Sequence, residues 1–106
     1  MGPIRDVSID EVKAGLANHS ILLVDVREPH EFAAGHIPGA VNVPLSTFDP
    51  AGIEAEPGQQ VVFSCRSGSR TLKAIAAARA AGFPYDAHYR GSMLEWVAMG
   101  EPVEAG

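Results

Sequence analysis

The chain contains one cysteine, and the residues that follow it bear directly on its chemistry. Cys65 opens the stretch Cys65-Arg66-Ser67-Gly68-Ser69-Arg70: a nucleophile, two hydroxyl residues around a glycine, and two guanidinium groups. A thiol reacts as its thiolate, and a helix N-terminus or a neighbouring Arg charge lowers its pKa from about 8.5 toward roughly 3.5–7.5. Both influences are expected here. Successive N–H groups from Arg66 to Arg70 could point inward as an anion nest. Gly68 permits the positive φ of a tight loop, and Ser67 and Ser69 add hydroxyl donors. Such a loop stabilises a thiolate and an incoming anion together. An isolated cysteine after a buried strand is more often a small inert hydrophobe. The surrounding residues argue the other way, because a purely structural β-to-α turn does not need two cations and no apolar residue.

The flanking elements are expected to mount this loop rigidly. Before Cys65, residues 60–64 read as a buried strand with Val61, Val62 and Phe63 at its centre. After it, residues 70–81 read as a helix with Leu72, Ile75, Ala76 and Arg79 at 3–4 spacing and Gly82 as its stop. Upstream, Ser8-Ile9-Asp10-Glu11 is a capping box, which predicts a helix over residues 9–17 ending near Asn18. The run Ile21-Leu22-Leu23-Val24-Asp25-Val26 is apolar without alternation, the pattern of a strand covered on both faces. Shorter elements follow. Residues 28–34 read as a helix opened by Pro29 and closed by Gly35, and residues 40–43 as a strand stopped by Pro44. Residues 45–48 hold one helical turn, residues 50–58 are mostly loop, residues 86–89 form a weaker strand, and residues 92–99 a last helix with Ser92 as its cap. Strands alternating with helices predict an α/β fold around a parallel sheet. Ligands bind beyond the carboxyl ends of strands in open sheets of that kind, and Cys65 lies at such an end. Asp25 and Arg27 lie at another.

Length and composition narrow the possibilities. With 106 residues, 46% hydrophobic and 20% charged, the chain is expected to form one domain, residues 1–106, with a modest core. A net charge of −5 argues against a nucleic-acid surface, which needs clustered Lys and Arg. No stretch approaches the ~18 apolar residues of a membrane span. The N-terminal residues lack the charged-then-apolar pattern of a secretion signal, and one cysteine forms no intramolecular disulfide. Cytoplasm is the expected compartment. His19, His30, His36 and His88 show no metal-ligand spacing, so no metal is expected, and no cofactor fingerprint is present.

Several polar residues admit two readings. Asp25 and His36 could imitate a base and its orienter. A hydrogen-bonded scaffold is the favoured reading, with Arg27 and Glu31 as a local ion pair. Leu94, Trp96 and Val97 are expected to pack in the core, and Met93 with Trp96 could line the mouth of the site.

The loop over residues 65–70 resembles the active-site loop of the rhodanese family of sulfurtransferases. Two further blocks share the resemblance. Leu23-Val24-Asp25-Val26-Arg27-Glu28-Pro29-His30-Glu31-Phe32, followed by Gly35-His36-Ile37-Pro38-Gly39-Ala40 and Asn42-Val43-Pro44, is similar to the family's N-terminal signature. Arg90-Gly91-Ser92-Met93-Leu94-Glu95-Trp96 with Gly100-Glu101-Pro102-Val103 is similar to its C-terminal motif. The resemblance spans nearly the whole chain. It implies a rhodanese-like α/β domain with a central parallel sheet of about five strands and helices on both faces. Where members of the family often carry two glycines this chain has Gly91-Ser92, which places a side chain near the expected rim of the pocket and bears on substrate preference.

The same resemblance implies a thiosulfate sulfurtransferase chemistry with Cys65 as nucleophile. The Cys65 thiolate would take the outer sulfur of a small anionic donor, thiosulfate or a persulfide, and pass it to cyanide or a thiol, including a protein thiol. No nucleic acid or membrane partner is implied. Arg66, Ser67, Gly68, Ser69 and Arg70 would form the substrate-binding ring; Arg70 is equally readable as a structural ion-pair partner. Sulfur carriers and non-catalytic partner-binding modules with this fold are the alternatives. A phosphatase or arsenate reductase is disfavoured by loop length: phosphatase loops of related fold resemble a Cys, five residues and an Arg, whereas the sixth residue after Cys65 is Thr71.

Overall fold

The structure, a computed structural model, describes residues 2–106. Five parallel strands form one sheet in the order β1-β5-β4-β2-β3: β1 Arg5–Asp6, β2 Ile21–Asp25, β3 Val41–Asn42, β4 Gln60–Ser64 and β5 Ala87–His88. The two long strands are central neighbours, paired from Ile21 with Gln60 to Asp25 with Ser64. Their residues are apolar on both sides because each side is covered. Val12 of α1 (Ile9–Ala17) and Met93 and Trp96 of α4 (Ser92–Ala98) pack on one face with Leu23, Val62 and Tyr89. Ala74 and Ile75 of α3 (Arg70–Ala80) pack on the other with Val24, Val61 and Phe63. An α/β sheet of five parallel strands with helices on both faces is thus what the residues build, as expected. Among the described residues no helix is long and apolar enough to cross a membrane.

Local rules account for most element ends. The capping box forms as expected: the Glu11 N–H donates to Ser8 Oγ and the Ser8 N–H to Glu11 Oε1, both at 3.1 Å. Helix α2 (Pro29–Ala34) starts on Pro29, with the Glu31 carboxylate reaching back to the Glu28 N–H at 3.0 Å. Short 3-10 turns at Leu45–Thr47 and Pro50–Gly52 lead toward β4.

One strand is added and three local expectations are corrected. Strand β1 lies in a segment without β signal. It exists because Arg5 N–H donates to Asp86 O at 2.7 Å and Val7 N–H to His88 O at 2.8 Å, pairings made across the whole length of the chain. Helix α3 turns Thr71, Ala74, Ile75 and Ala78 inward and leaves Leu72 44% exposed, one residue round from the expected face, because small alanines let the helix sit close to the sheet. Leu94 and Val97 are exposed at 49% and 57%; only Trp96 and Met93 of that group enter the core. Ser92 does not cap α4. It is the first helical residue, at φ +50, and its hydroxyl is turned toward Cys65.

Candidate active site

Strand β4 delivers Cys65 at the carboxyl edge of the sheet, and the chain turns from there into α3. The loop is sewn to the start of α4: the Met93 N–H donates to Cys65 O and the Leu94 N–H to Arg66 O, each at 3.1 Å. The Cys65 N–H donates to Ser92 Oγ at 3.1 Å. That hydroxyl gives its proton to Tyr89 O at 2.8 Å, while lying 3.9 Å from Cys65 Sγ. Ser92 is fully buried, so it stands behind the sulfur and not at a rim. A non-glycine residue at positive φ is strained, so the conformation of Ser92 beside Cys65 is held by its surroundings.

The sulfur is held by backbone. Cys65 is buried, yet it is not sealed in hydrocarbon: the Gly68 N–H donates to Sγ at 3.0 Å. Burial alone pushes the thiol pKa up; the N–H groups of Thr71, Gly68, Ser67 and Arg70 outweigh it and pull the pKa below its ordinary value. Arg70 and Thr71 open helix α3, whose first N–H groups have no partner within the helix. Ser69, at the capping position, supplies no side-chain cap. The sulfur occupies the place a capping oxygen would take, and the helix dipole favours its negative charge. Gly68 is required twice over. Its φ is +90, and a Cβ there would stand 2.5 Å from Arg90 O. Ser67 and Ser69 are exposed; Ser67 acts on the sulfur through its backbone N–H, and Ser69 makes no such contact.

The two arginines part company. Arg70 Nη1 and Nη2 grip Glu31 Oε1 and Oε2 at 2.6 and 3.0 Å, a fork that ties the loop to α2. That contact holds the Glu31 carboxyl down to about 2 and raises Arg70 above its usual value, with the Cys65 charge adding to the rise. Of the two readings of Arg70, the ion pair is the one with a partner in the fold. Arg66 is exposed, and among the described residues no carboxylate forms an ion pair with it. It borders an open groove with Met93, Leu94, Val97 and Glu31.

The expected Arg27–Glu31 pair is not formed. Arg27 instead turns back on Asp25, with Nε at 3.0 Å and Nη2 at 2.8 Å from Oδ2, and donates to Gly35 O at 2.8 Å. Both members are buried. Glu31 is thereby left for Arg70, 39 residues away in sequence. His36 stacks on Phe32 with ring centroids 3.8 Å apart, and its Nδ1 lies 2.9 Å from Phe32 O. These residues form the scaffold favoured from sequence, not a base and orienter. Thr71 and His88, by contrast, lie in the hydrogen-bond network under the loop and were missed. Thr71 Oγ1 donates to Gly68 O at 2.8 Å and sits 2.7 Å from His88 Nδ1. The available signal was Thr71 directly after Arg70, together with a histidine in a strand that ends toward the loop.

Comparison with known proteins agrees with this geometry. The family described as Rhodanese-like domain matches residues 8–99. A thiosulfate:glutathione sulfurtransferase of Saccharomyces cerevisiae is 33% identical over 112 residues, covering 92% of this chain and 81% of that protein. The human thiosulfate:glutathione sulfurtransferase is 35% identical over 106 residues, covering 86% and 91%. A solved human single-domain sulfurtransferase superposes with a TM-score of 0.73 at 34% identity, covering 92% of this chain and 97% of that one. These relatives support a sulfurtransferase activity in general terms. The family match over residues 8–99, with relatives 33% and 35% identical over most of their own length, makes this protein a member of the rhodanese family.

Proposed function

We propose that the protein moves sulfane sulfur from thiosulfate or a persulfide donor to a thiophilic acceptor through a persulfide on Cys65. The observation that carries the reading is the Gly68 N–H at 3.0 Å from a buried sulfur whose pKa is lowered chiefly by backbone N–H groups. In the first step the Cys65 thiolate attacks the outer sulfur of thiosulfate. The S–S bond of the donor breaks, sulfite departs with its electron pair, and Cys65 carries –S–S⁻. In the second step an acceptor thiolate or cyanide attacks the terminal sulfur, the Cys65–sulfur bond breaks, and the thiolate is restored. No net oxidant is needed. A covalent intermediate gives ping-pong kinetics.

The amides of Ser67, Gly68, Arg70 and Thr71 stabilise the negative sulfur in each state. A general base is unnecessary when the nucleophile is already ionised. Arg66 is the cation open to the donor's negative charge, and Arg70 orders the loop through Glu31. That division also supports sulfur over phosphate chemistry, since the guanidinium nearest to a phosphatase position is engaged by a carboxylate. A low-molecular-weight thiol is the acceptor we favour, in keeping with the names of the yeast and human relatives. The exposed Leu94 and Val97 beside Arg66 favour a second reading, in which the chain also hands its sulfur to a protein thiol. Free-thiol chemistry suits a reducing compartment, and cytoplasm is the location we propose.

Intact-protein mass spectrometry tests the reading. Incubation with thiosulfate adds one sulfur atom, cyanide removes it, and Cys65→Ser gains none. Turnover retained in Cys65→Ser, or no mass gain in the parent, refutes it.

A further inference from the structure

Under the cradle runs a second chain of polar contacts that the sulfur chemistry above does not use. His88 is 3% exposed at the end of β5. Its Nε2 lies 2.7 Å from Asp6 Oδ1 at the surface, and its Nδ1 lies 2.7 Å from Thr71 Oγ1, which is fully buried. Thr71 reaches Gly68 O at 2.8 Å, and Gly68 is the residue whose N–H meets the sulfur. We propose that His88, anchored by Asp6, is a positioning residue for the Cys65 cradle: through Thr71 it holds Gly68, and with it the amides that face the sulfur.

Donor counting gives the chain its direction. A carbonyl only accepts, so the bond to Gly68 O uses the single Thr71 proton. Thr71 Oγ1 then has to accept from His88 Nδ1. On the far side an ionised Asp6 also only accepts, so Nε2 donates there. The Thr71 hydroxyl is thus fixed between the ring and the Gly68 carbonyl, and the ring between that hydroxyl and the Asp6 carboxylate. Asp6 and Arg90 are the charged groups in the hollow that borders the ring, with Arg90 Nη1 3.8 Å from Asp6 Oδ2; Ile4, Gly68 and Leu72 complete it. Cys65 stands beyond Gly68. A buried polar chain of this kind is costly unless every member is paired, so its persistence beneath the nucleophile requires a reason beyond packing.

The inference rests on Cys65 working as a thiolate, and its test does not require that the donor or acceptor be known. The ultraviolet absorbance of the thiolate is followed against pH, with Cys65→Ser as blank. Thr71→Val and His88→Phe are expected to raise the midpoint by about one pH unit, a tenfold loss of thiolate in the rising region. Asp6→Asn is expected to raise it by roughly half that. Thr71→Ser, which keeps the hydroxyl, is expected to restore the parent midpoint. A merely structural role would lower the melting temperature and leave the midpoint of the folded fraction unchanged. Parent midpoints in Thr71→Val and His88→Phe overturn the proposal. Asp6 is 57% exposed at its side chain, so Asp6→Asn is a fold-tolerant variant. Should either buried variant fail to fold, an unshifted Asp6→Asn overturns the proposal by itself. A parent that shows no thiolate at any accessible pH, or gains no sulfur from thiosulfate, instead removes the reading of Cys65 on which the proposal rests.

Discussion

Two loops leave the carboxyl ends of adjacent strands, and each must accommodate a buried anion in its own way. At the end of β2 the Asp25 carboxylate is gripped by Arg27 through Nε and Nη2, and the Arg27 N–H adds a bond at 2.9 Å. At the end of β4 the Cys65 sulfur is held by N–H groups, while Arg70 of that loop is drawn off to Glu31. A guanidinium locked onto an anion saturates it and makes it a fixed strut. Amides stabilise charge without covering every approach, so the same charge stays available to attack. On the proposed function one loop is therefore scaffold and the other reactive, although both carry an acid group, an arginine and a helix to follow.

The largest expected effect comes from breaking the scaffold. Arg27→Met strands the Asp25 carboxylate in a buried setting, at a cost of about 3–5 kcal/mol in unfolding free energy. Urea denaturation measures it. The thiolate titration of the folded fraction should not move; if it does, the two loops are not independent and the contrast between them fails. Next comes Gly68→Ala. The added Cβ meets the Arg90 carbonyl and sits at positive φ, at a cost of about 1–3 kcal/mol in stability. Loss of the amide contact is expected to slow the thiosulfate half-reaction about 10²-fold. Stopped-flow measurement of sulfite release reads this, and an unchanged rate would mean that the Gly68 N–H does not support the sulfur.

Smaller effects sharpen the contrast between the two arginines of the reactive loop. Arg66→Ala should raise KM for thiosulfate by up to about fivefold, the worth of an exposed charge contact, and should leave an uncharged persulfide donor nearly unaffected. Equal effects on both donors would place Arg66 outside the donor's reach. Glu31→Gln releases Arg70. The folded Glu31 carboxyl sits near 2, below its ordinary value of 4.5. The stability from the pair is therefore present above pH 4.5 and lost as pH falls through 4.5 toward 2. Because both side chains are about a quarter exposed, the loss is under ~1 kcal/mol. Parent and Glu31→Gln melting temperatures should differ slightly near neutrality and converge in acid. A gap that persists at pH 2 would contradict the assignment.

What could be read from residue order alone follows from how local each cause is. The capping box at Ser8 and Glu11, the doubly covered strands around Val24 and Val62, and Gly82 after α3 act within a few residues. They placed α1, β2, β4 and α3 nearly residue for residue. The Cys65 loop belongs with them, because a strand, a glycine and a helix start are all local. Causes that act across the chain were less visible. Strand β1 depends on carbonyls more than 80 residues away, and the choice of Glu31 by Arg70 depends on Arg27 having turned to Asp25. Ser92 looked like a helix cap because Ser commonly caps helices. Its positive φ and its burial against Cys65 arise only when α4 docks on the loop. His88 had a place in the 86–89 strand but no partner in sight; Thr71 and Asp6 come to either side of its ring only in the fold.

The claim beneath all of this is that amides keep the Cys65 sulfur ionised despite its burial. The direct test is the pH titration of thiolate absorbance in the native protein, with Cys65→Ser as blank. The account predicts a midpoint below the roughly 8.5 of an ordinary cysteine. A midpoint at or above that value would show that burial wins over the surrounding N–H groups, and would contradict the account.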